Sequence, residues 1–133
     1  MSSRMTAQCI MVLVSGLTLS GGIAASAELM PLDPVPAPYA DKHMPAGWWT
    51  DPKVIEEGKK IYVGEADPLV SCTGCHGEDG EPVRSGEGVR SLKNTKRFSD
   101  SYWYWRVAEG IPKTPMMPWK SLLSEDQIWQ VVA

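Results

Sequence analysis

The chain has 133 residues, with 13 basic and 16 acidic side chains and a formal charge of −3. That length holds one ordinary domain, and an acidic balance is a poor match for a phosphate backbone, so nucleic acid is excluded as the expected partner. Its 11 prolines fall mainly in two stretches, which marks where the long loops lie.

Residues 1–27 read as a secretory signal peptide. Arg4 is the charged n-region, Cys9 to Leu19 is an apolar h-region of eleven residues, and Ala25-Ser26-Ala27 is a small-residue cleavage site. The apolar run falls short of the ~20 residues a spanning helix needs; an uncleaved membrane anchor is the alternative. Cys9 lies inside that run, away from the cleavage site, which argues against lipid attachment through it. Cleavage after Ala27 leaves 106 residues with 12 basic and 16 acidic side chains, a formal charge of −4. The expectation is a periplasmic or otherwise extracytoplasmic protein, with no stable membrane insertion once the signal is removed.

Residues 28–50 form a proline-rich arm with Pro31, Pro34, Pro36, Pro38 and Pro45. Each proline fixes its own φ and removes a backbone donor. Residues 28–40 are expected to be a disordered leader. Trp48 and Trp49 mark a docked end, because two exposed indoles are unusual on a soluble monomer. His43, between Lys42 and Met44, reads as an exposed loop histidine.

The folded domain is expected over residues 51–133. Asp51 is a good N-cap and Pro52 suits the first helical position. Val54, Ile55, Gly58, Ile61 and Tyr62 then recur at helical spacing, with Glu56, Glu57, Lys59 and Lys60 polar. Gly58 inside a helix costs about 1 kcal/mol relative to alanine, which close approach by another helix would offset.

Gly64 to Val70 is a loop leading to Cys72-Thr73-Gly74-Cys75-His76. Two thiols three positions apart, with histidine directly after the second, are the signature of covalent c-type haem attachment. The spacing lets both sulfurs reach the two vinyl groups on one porphyrin edge, while the histidine supplies an axial nitrogen to the iron. Three other readings compete with it. A zinc site needs four ligands, and beyond these three only His43 or a carboxylate remains. A thioredoxin-like dithiol wants a strand-rich βαβ context that the flanking sequence lacks. A Cys72–Cys75 disulfide would close a very small loop and stabilise little.

Residues 77–91 carry Gly77, Gly80, Pro82, Gly86 and Gly88 without periodicity, which suits chain wrapping around a prosthetic group. Ser99 or Asp100 caps a helix through Tyr102, Trp103, Tyr104, Trp105, Arg106 and Val107 that ends at Gly110. Its four consecutive aromatics cannot share one face, so at least one side meets the haem or another helix. Ile111 to Trp119 is the second proline-rich loop. The last helix starts at Ser124, with Gln127 completing a capping box and Leu123, Ile128, Val131 and Val132 supplying its apolar side.

An iron held by one histidine takes a second axial ligand or keeps an open site. Met117, 41 residues after His76 in a proline-stiffened loop, is the best candidate, and methionine sulfur raises the reduction potential. Met116 competes, and spacing barely separates the two. His43 would make a bis-histidine site but lies in the arm.

Charge is also segregated along the chain. Residues 65–81 carry Glu65, Asp67, Glu78, Asp79 and Glu81 with no base, whereas residues 84–97 carry Arg84, Arg90, Lys93, Lys96 and Arg97 against Glu87 alone. A dipolar surface of this kind would speed encounters with a redox partner, and two solvated loops are the plainer reading.

Together these residues resemble the class I monohaem cytochrome c family. The matching pieces are Gly58 to Tyr62, Cys72 to Gly77, Met117-Pro118-Trp119, and Leu123-Ser124 leading to Ile128. The resemblance implies a small all-α fold of about three to four helices wrapped around one covalently attached haem c. It implies thioethers to Cys72 and Cys75, and His76 and Met117 as axial ligands, with the methionine before proline favoured over Met116. It implies that Gly58 and Tyr62 meet the last helix, and that a nearby proline carbonyl, Pro82 here, accepts from the ligand histidine. In the family the last helix usually runs into an aromatic and one further turn. This sequence stops at Ala133, so either the sequence continues or Trp129 supplies that contact. The implied function is one-electron transfer between periplasmic or membrane-bound redox proteins, without substrate chemistry, by a monomer or a complex subunit. The alternatives are a fixed cytochrome subunit of a dehydrogenase, reductase or oxidase, and a haem sensor or peroxidase with an open iron site.

Overall fold

The computed structural model describes residues 34–83, 91–93 and 98–133, all within one unit spanning Asp33–Ala133. The signal peptide, the first residues of the arm, and Arg84, Glu87, Arg90, Lys96 and Arg97 lie outside the described residues. Among the described residues there are five α-helices and no strand: α1 (Ala37–Ala40), α2 (Pro52–Val63), α3 (Thr73–His76), α4 (Asp100–Glu109) and α5 (Glu125–Val132). A 3₁₀ turn, Trp48–Thr50, precedes α2. The fold is all-α, as expected. Since α1 and α3 are single turns, three helices make the frame.

The helix ends follow from local cap chemistry. The Asp51 carboxylate accepts from the Lys53 N–H at 2.8 Å, and Gly64 closes α2 with φ of 85°. The Ser99 hydroxyl accepts from the Tyr102 N–H at 3.1 Å to start α4. Ser124 and Gln127 form the reciprocal capping box of α5, at 2.9 and 3.2 Å.

Packing centres on the crossing of α2 and α5. A Cβ at Gly58 would lie 1.8 Å from the Gln130 carbonyl oxygen, so only glycine permits this approach. Ile61 and Ile128 are buried beside it, with Val70, Leu123 and Met44 in the same cluster. Each such side chain contributes on the order of 1.5–3 kcal/mol through burial. Trp129 faces α4, its ring 4.5 Å from that of buried Tyr104. The remaining α4 aromatics group with Phe98: Phe98 stacks on Tyr102 at 4.7 Å and meets Trp103 edge-on at 5.0 Å.

The arm corrects the expectation of disorder for residues 34–40. Pro36 and Pro38 sit at the start of α1, where a missing N–H costs nothing. Beyond α1 the arm lies across α4 and α5. The Tyr39 hydroxyl donates to Glu109, and Lys42 pairs with Glu125 at 2.5 Å while lying 5.1 Å from the Tyr104 ring centre. The Met44 side chain is buried, and its N–H donates to Asp100 Oδ2 at 2.9 Å. Trp48 packs on the core, as expected, whereas Trp49 stays half exposed.

Two predictions follow from this packing. Gly58→Ala should destabilise the domain by at least about 2 kcal/mol, since the added methyl overlaps backbone that cannot rotate away. Denaturant unfolding checks this; a loss below about 0.5 kcal/mol would contradict the close crossing. Asp100 gives a pH signature. Burial raises its carboxyl, but the Met44 and Ser101 N–H groups and the His43 ring outweigh that and hold it below the ordinary value of 3.8. The carboxylate bonds therefore stabilise the fold in full above about pH 4 and are lost as pH falls through the lowered value. Asp100→Asn should lower stability at neutral pH and shrink this acid-side loss, measured by thermal unfolding across pH 2–7.

Candidate functional site

The five motif residues make one helical turn. The N–H groups of Cys75 and His76 both reach the Cys72 carbonyl, at 3.2 and 2.9 Å, and the Gly77 N–H reaches that of Thr73 at 2.9 Å. Positions i, i+3 and i+4 of a turn share one face, so Cys72, Cys75 and His76 are brought together on one side. Gly77 ends the turn with φ of 68°, where a Cβ would lie 2.3 Å from the Glu81 carbonyl oxygen.

This short turn is held from α2 and from the segment after it. The Cys72 N–H donates to the Tyr62 carbonyl at 2.9 Å, and the Tyr62 hydroxyl donates to the Gly77 carbonyl at 2.7 Å. Tyr62 thus grips both ends of the motif, a role the resemblance did not imply, and Gly58 makes the expected close backbone approach to α5. On the far side, the Val83 N–H reaches the Cys75 carbonyl at 3.2 Å. Pro82 lies in that same return segment, adjacent to Val83.

Residues 91–93 fold back on this return. The Leu92 N–H donates to the Gly80 carbonyl at 2.8 Å, and Lys93 pairs with Asp79 at 2.9 Å and Glu81 at 3.6 Å. Lys93 holds the Asp79 carboxyl below its ordinary range and is itself raised by that contact. The expected separation of acidic and basic stretches therefore fails at Lys93, which pairs with the acidic return segment instead of extending a basic face.

Both motif thiols are free. Burial pushes Cys72 up to about 11, with Cys75 adding to the shift, whereas Cys75 is exposed. Among the described residues no three His, Cys, Asp or Glu side chains converge as a metal-binding group, so the zinc reading lacks a ligand set there. His43 is exposed in the arm, 3.2 Å from Asp100, and is not part of this turn.

The second candidate element is the loop from Gly110 to Trp119. Gly110 has φ of 67°, and a Cβ there would lie 2.3 Å from the Met116 carbonyl oxygen and 2.6 Å from the Met117 carbonyl carbon. The Ile111 N–H closes the loop onto the Met116 carbonyl at 2.9 Å. At the exit, the Trp119 and Lys120 N–H groups reach the Val107 and Ala108 carbonyls of α4, at 3.1 and 3.2 Å. The Met117 side chain is 47% exposed; Met116 is more covered, and its backbone closes the loop.

These residues fit a bound haem. Among the described residues seven large apolar side chains are left exposed, and five of them, Leu69, Val83, Ile111, Met117 and Leu122, lie close in sequence to the motif or to the methionine loop. Exposed apolar side chains beside candidate ligands suit an apolar bound group. Among the described residues the buried Trp119 indole N–H has no acceptor, two residues after Met117, and a bound group would suit it. Cap and turn positions were legible in advance; the orphaned Trp119 N–H was not, because burial of one atom leaves no sequence signal.

Two free thiols and a histidine on one face of a single turn, within an all-α domain of this size, define a c-type cytochrome. Residues 53–133 match the family model described as "Cytochrome C oxidase, cbb3-type, subunit III", and the chain belongs to that family of c-type cytochrome domains. A domain of this family binds haem c and works in electron transfer. Among solved structures, the chain is similar to the KustC0563 c-type cytochrome, with 31% sequence identity over 56% of this chain and 88% of that one and a TM-score of 0.47. No curated protein matches it.

Proposed function

We propose that this protein is an exported monohaem c-type cytochrome that passes single electrons between periplasmic or membrane-bound redox proteins. The observation that carries the reading is the motif turn, with its two unpaired thiols and histidine on one face. Cys72 and Cys75 would hold haem c through thioethers, and His76 and Met117 would supply a nitrogen and a sulfur to its iron. Haem c held there would supply a one-electron ferric–ferrous couple. Tyr62 keeps the turn in place from the α2 side, and Gly110 lets the methionine loop approach the end of α4. Met117 is favoured over Met116 because its side chain is the more exposed, while the Met116 carbonyl is bound within the loop. Export rests on the 1–27 signal pattern, and no described helix is long and apolar enough to cross a membrane.

A second reading, a fixed cytochrome subunit of an oxidase or another redox complex, draws on the description of the family itself. Co-purification with a catalytic subunit favours it; recovery as a free monomer favours the carrier.

Replacing both Cys72 and Cys75 with alanine should abolish covalent haem and leave little folded protein in the export compartment. A normally folded, haem-free variant would defeat the reading. Met117→Ala should lower the reduction potential and open the iron to imidazole or carbon monoxide, whereas Met116→Ala should leave both nearly unchanged. Redox titration with ligand-binding spectra separates the two, and the reverse pattern would transfer the ligand role to Met116.

A further inference from the structure

We propose that Glu109, held by the Tyr39 hydroxyl and the Lys120 ammonium, is a brace that fixes both ends of the methionine loop and thereby positions the Met117 sulfur. The proposal rests on the haem and Met117 reading above. Glu109 is the last residue of α4, directly before Gly110 where the loop begins, and Lys120 directly follows Trp119 where it ends. Lys120 Nζ lies 2.8 Å from Glu109 Oε1, and the Tyr39 hydroxyl donates to the same oxygen. One carboxylate thus joins the loop entrance, the loop exit and the arm.

The loop needs such a device. Among the described residues, its backbone bonds run as far as the Met116 carbonyl and resume at the Trp119 N–H. Met117-Pro118 is the unbonded span between these points, so its position follows the relative position of the two ends. The arm reaches the same place: Pro34 and Pro36 line, with Gly110 and Pro112, a cavity of about 330 Å³ at the loop entrance. The Tyr39 ring lies 6.2 Å from that of Tyr104, tilted by 39°, so it rests against α4 beside Glu109. The charge states suit the contact. Lys120 and then Tyr39 hold the Glu109 carboxyl below its ordinary range, and the bond to Glu109, with burial, pushes the Tyr39 phenol up to about 12. Across the neutral range Glu109 accepts and Tyr39 donates. A tyrosine from the arm thereby acts as a positioning residue for an axial ligand 78 residues later.

The test uses the exported, haem-loaded full chain and free imidazole as probe. Displacement of the methionine is read as loss of its far-red charge-transfer band to the iron. Tyr39→Phe keeps the ring and removes the donor; it should lower the imidazole midpoint about tenfold, and Lys120→Met, on a more exposed side chain, about threefold. Haem content per protein should stay the same. Asp51→Ala removes the N-cap of α2, a helix that carries none of the brace residues; it should lower the melting temperature but leave the midpoint within about twofold. If Tyr39→Phe and Lys120→Met lower the melting temperature yet move the midpoint no more than Asp51→Ala does, the brace is wrong. Should Tyr39→Phe fail to accumulate, Lys120→Met alone decides by the same comparison. If the unmodified protein lacks the band and Met117→Ala leaves imidazole affinity unchanged, the Met117 reading itself fails, and the brace with it.

Discussion

The contact on which the rest depends is backbone against backbone, where Gly58 of α2 meets the Gln130 carbonyl of α5. No side chain intervenes, so the two helices lie closer than ordinary ridges and grooves allow. That crossing organises both halves of the site. The end of α2 supplies the Tyr62 carbonyl and hydroxyl that hold the Cys72 to Gly77 turn. The start of α5 follows directly from the methionine loop through Leu123, which is buried in the same cluster as Ile61 and Ile128. A slip at Gly58 would therefore disturb the motif and the methionine loop together.

A domain this small has little apolar surface to bury, and it meets that limit in two ways. One is the arm, which lays Tyr39, Lys42 and Met44 across α4 and α5 and adds Met44 to the core. The other is the prosthetic group its family carries. Five of the seven large apolar residues left exposed among those described lie close in sequence to the motif or the methionine loop, and a haem held by the motif would add apolar contact there.

Much of the frame was legible in the sequence because its causes are local. Asp51-Pro52, Ser99 and the Ser124–Gln127 box bond within a few residues of themselves, and each helix starts where those residues say it should. The Cys72 to His76 motif was legible from its spacing, though not as a helical turn, and Gly58 because an unexplained helical glycine implies a close neighbour. What escaped was long-range. Ordering of the arm comes from Glu109, Glu125 and Asp100, which lie 56 to 83 residues away, so proline content alone pointed to disorder. The Tyr62 hydroxyl turned to Gly77 because the path from α2 into the motif doubles back. Lys93 left the expected basic face because Asp79 and Glu81 are brought beside it when the Leu92 N–H bonds to Gly80.

Covalent attachment of one haem through the Cys72 to His76 turn of an exported chain is tested most directly by the intact mass, under denaturing conditions, of the protein isolated from the export compartment. The expected result is a chain beginning at Glu28 and heavier by one haem, with the added mass located on the peptide containing Cys72 and Cys75. A chain at its unmodified mass, or haem that separates on denaturation, would contradict it.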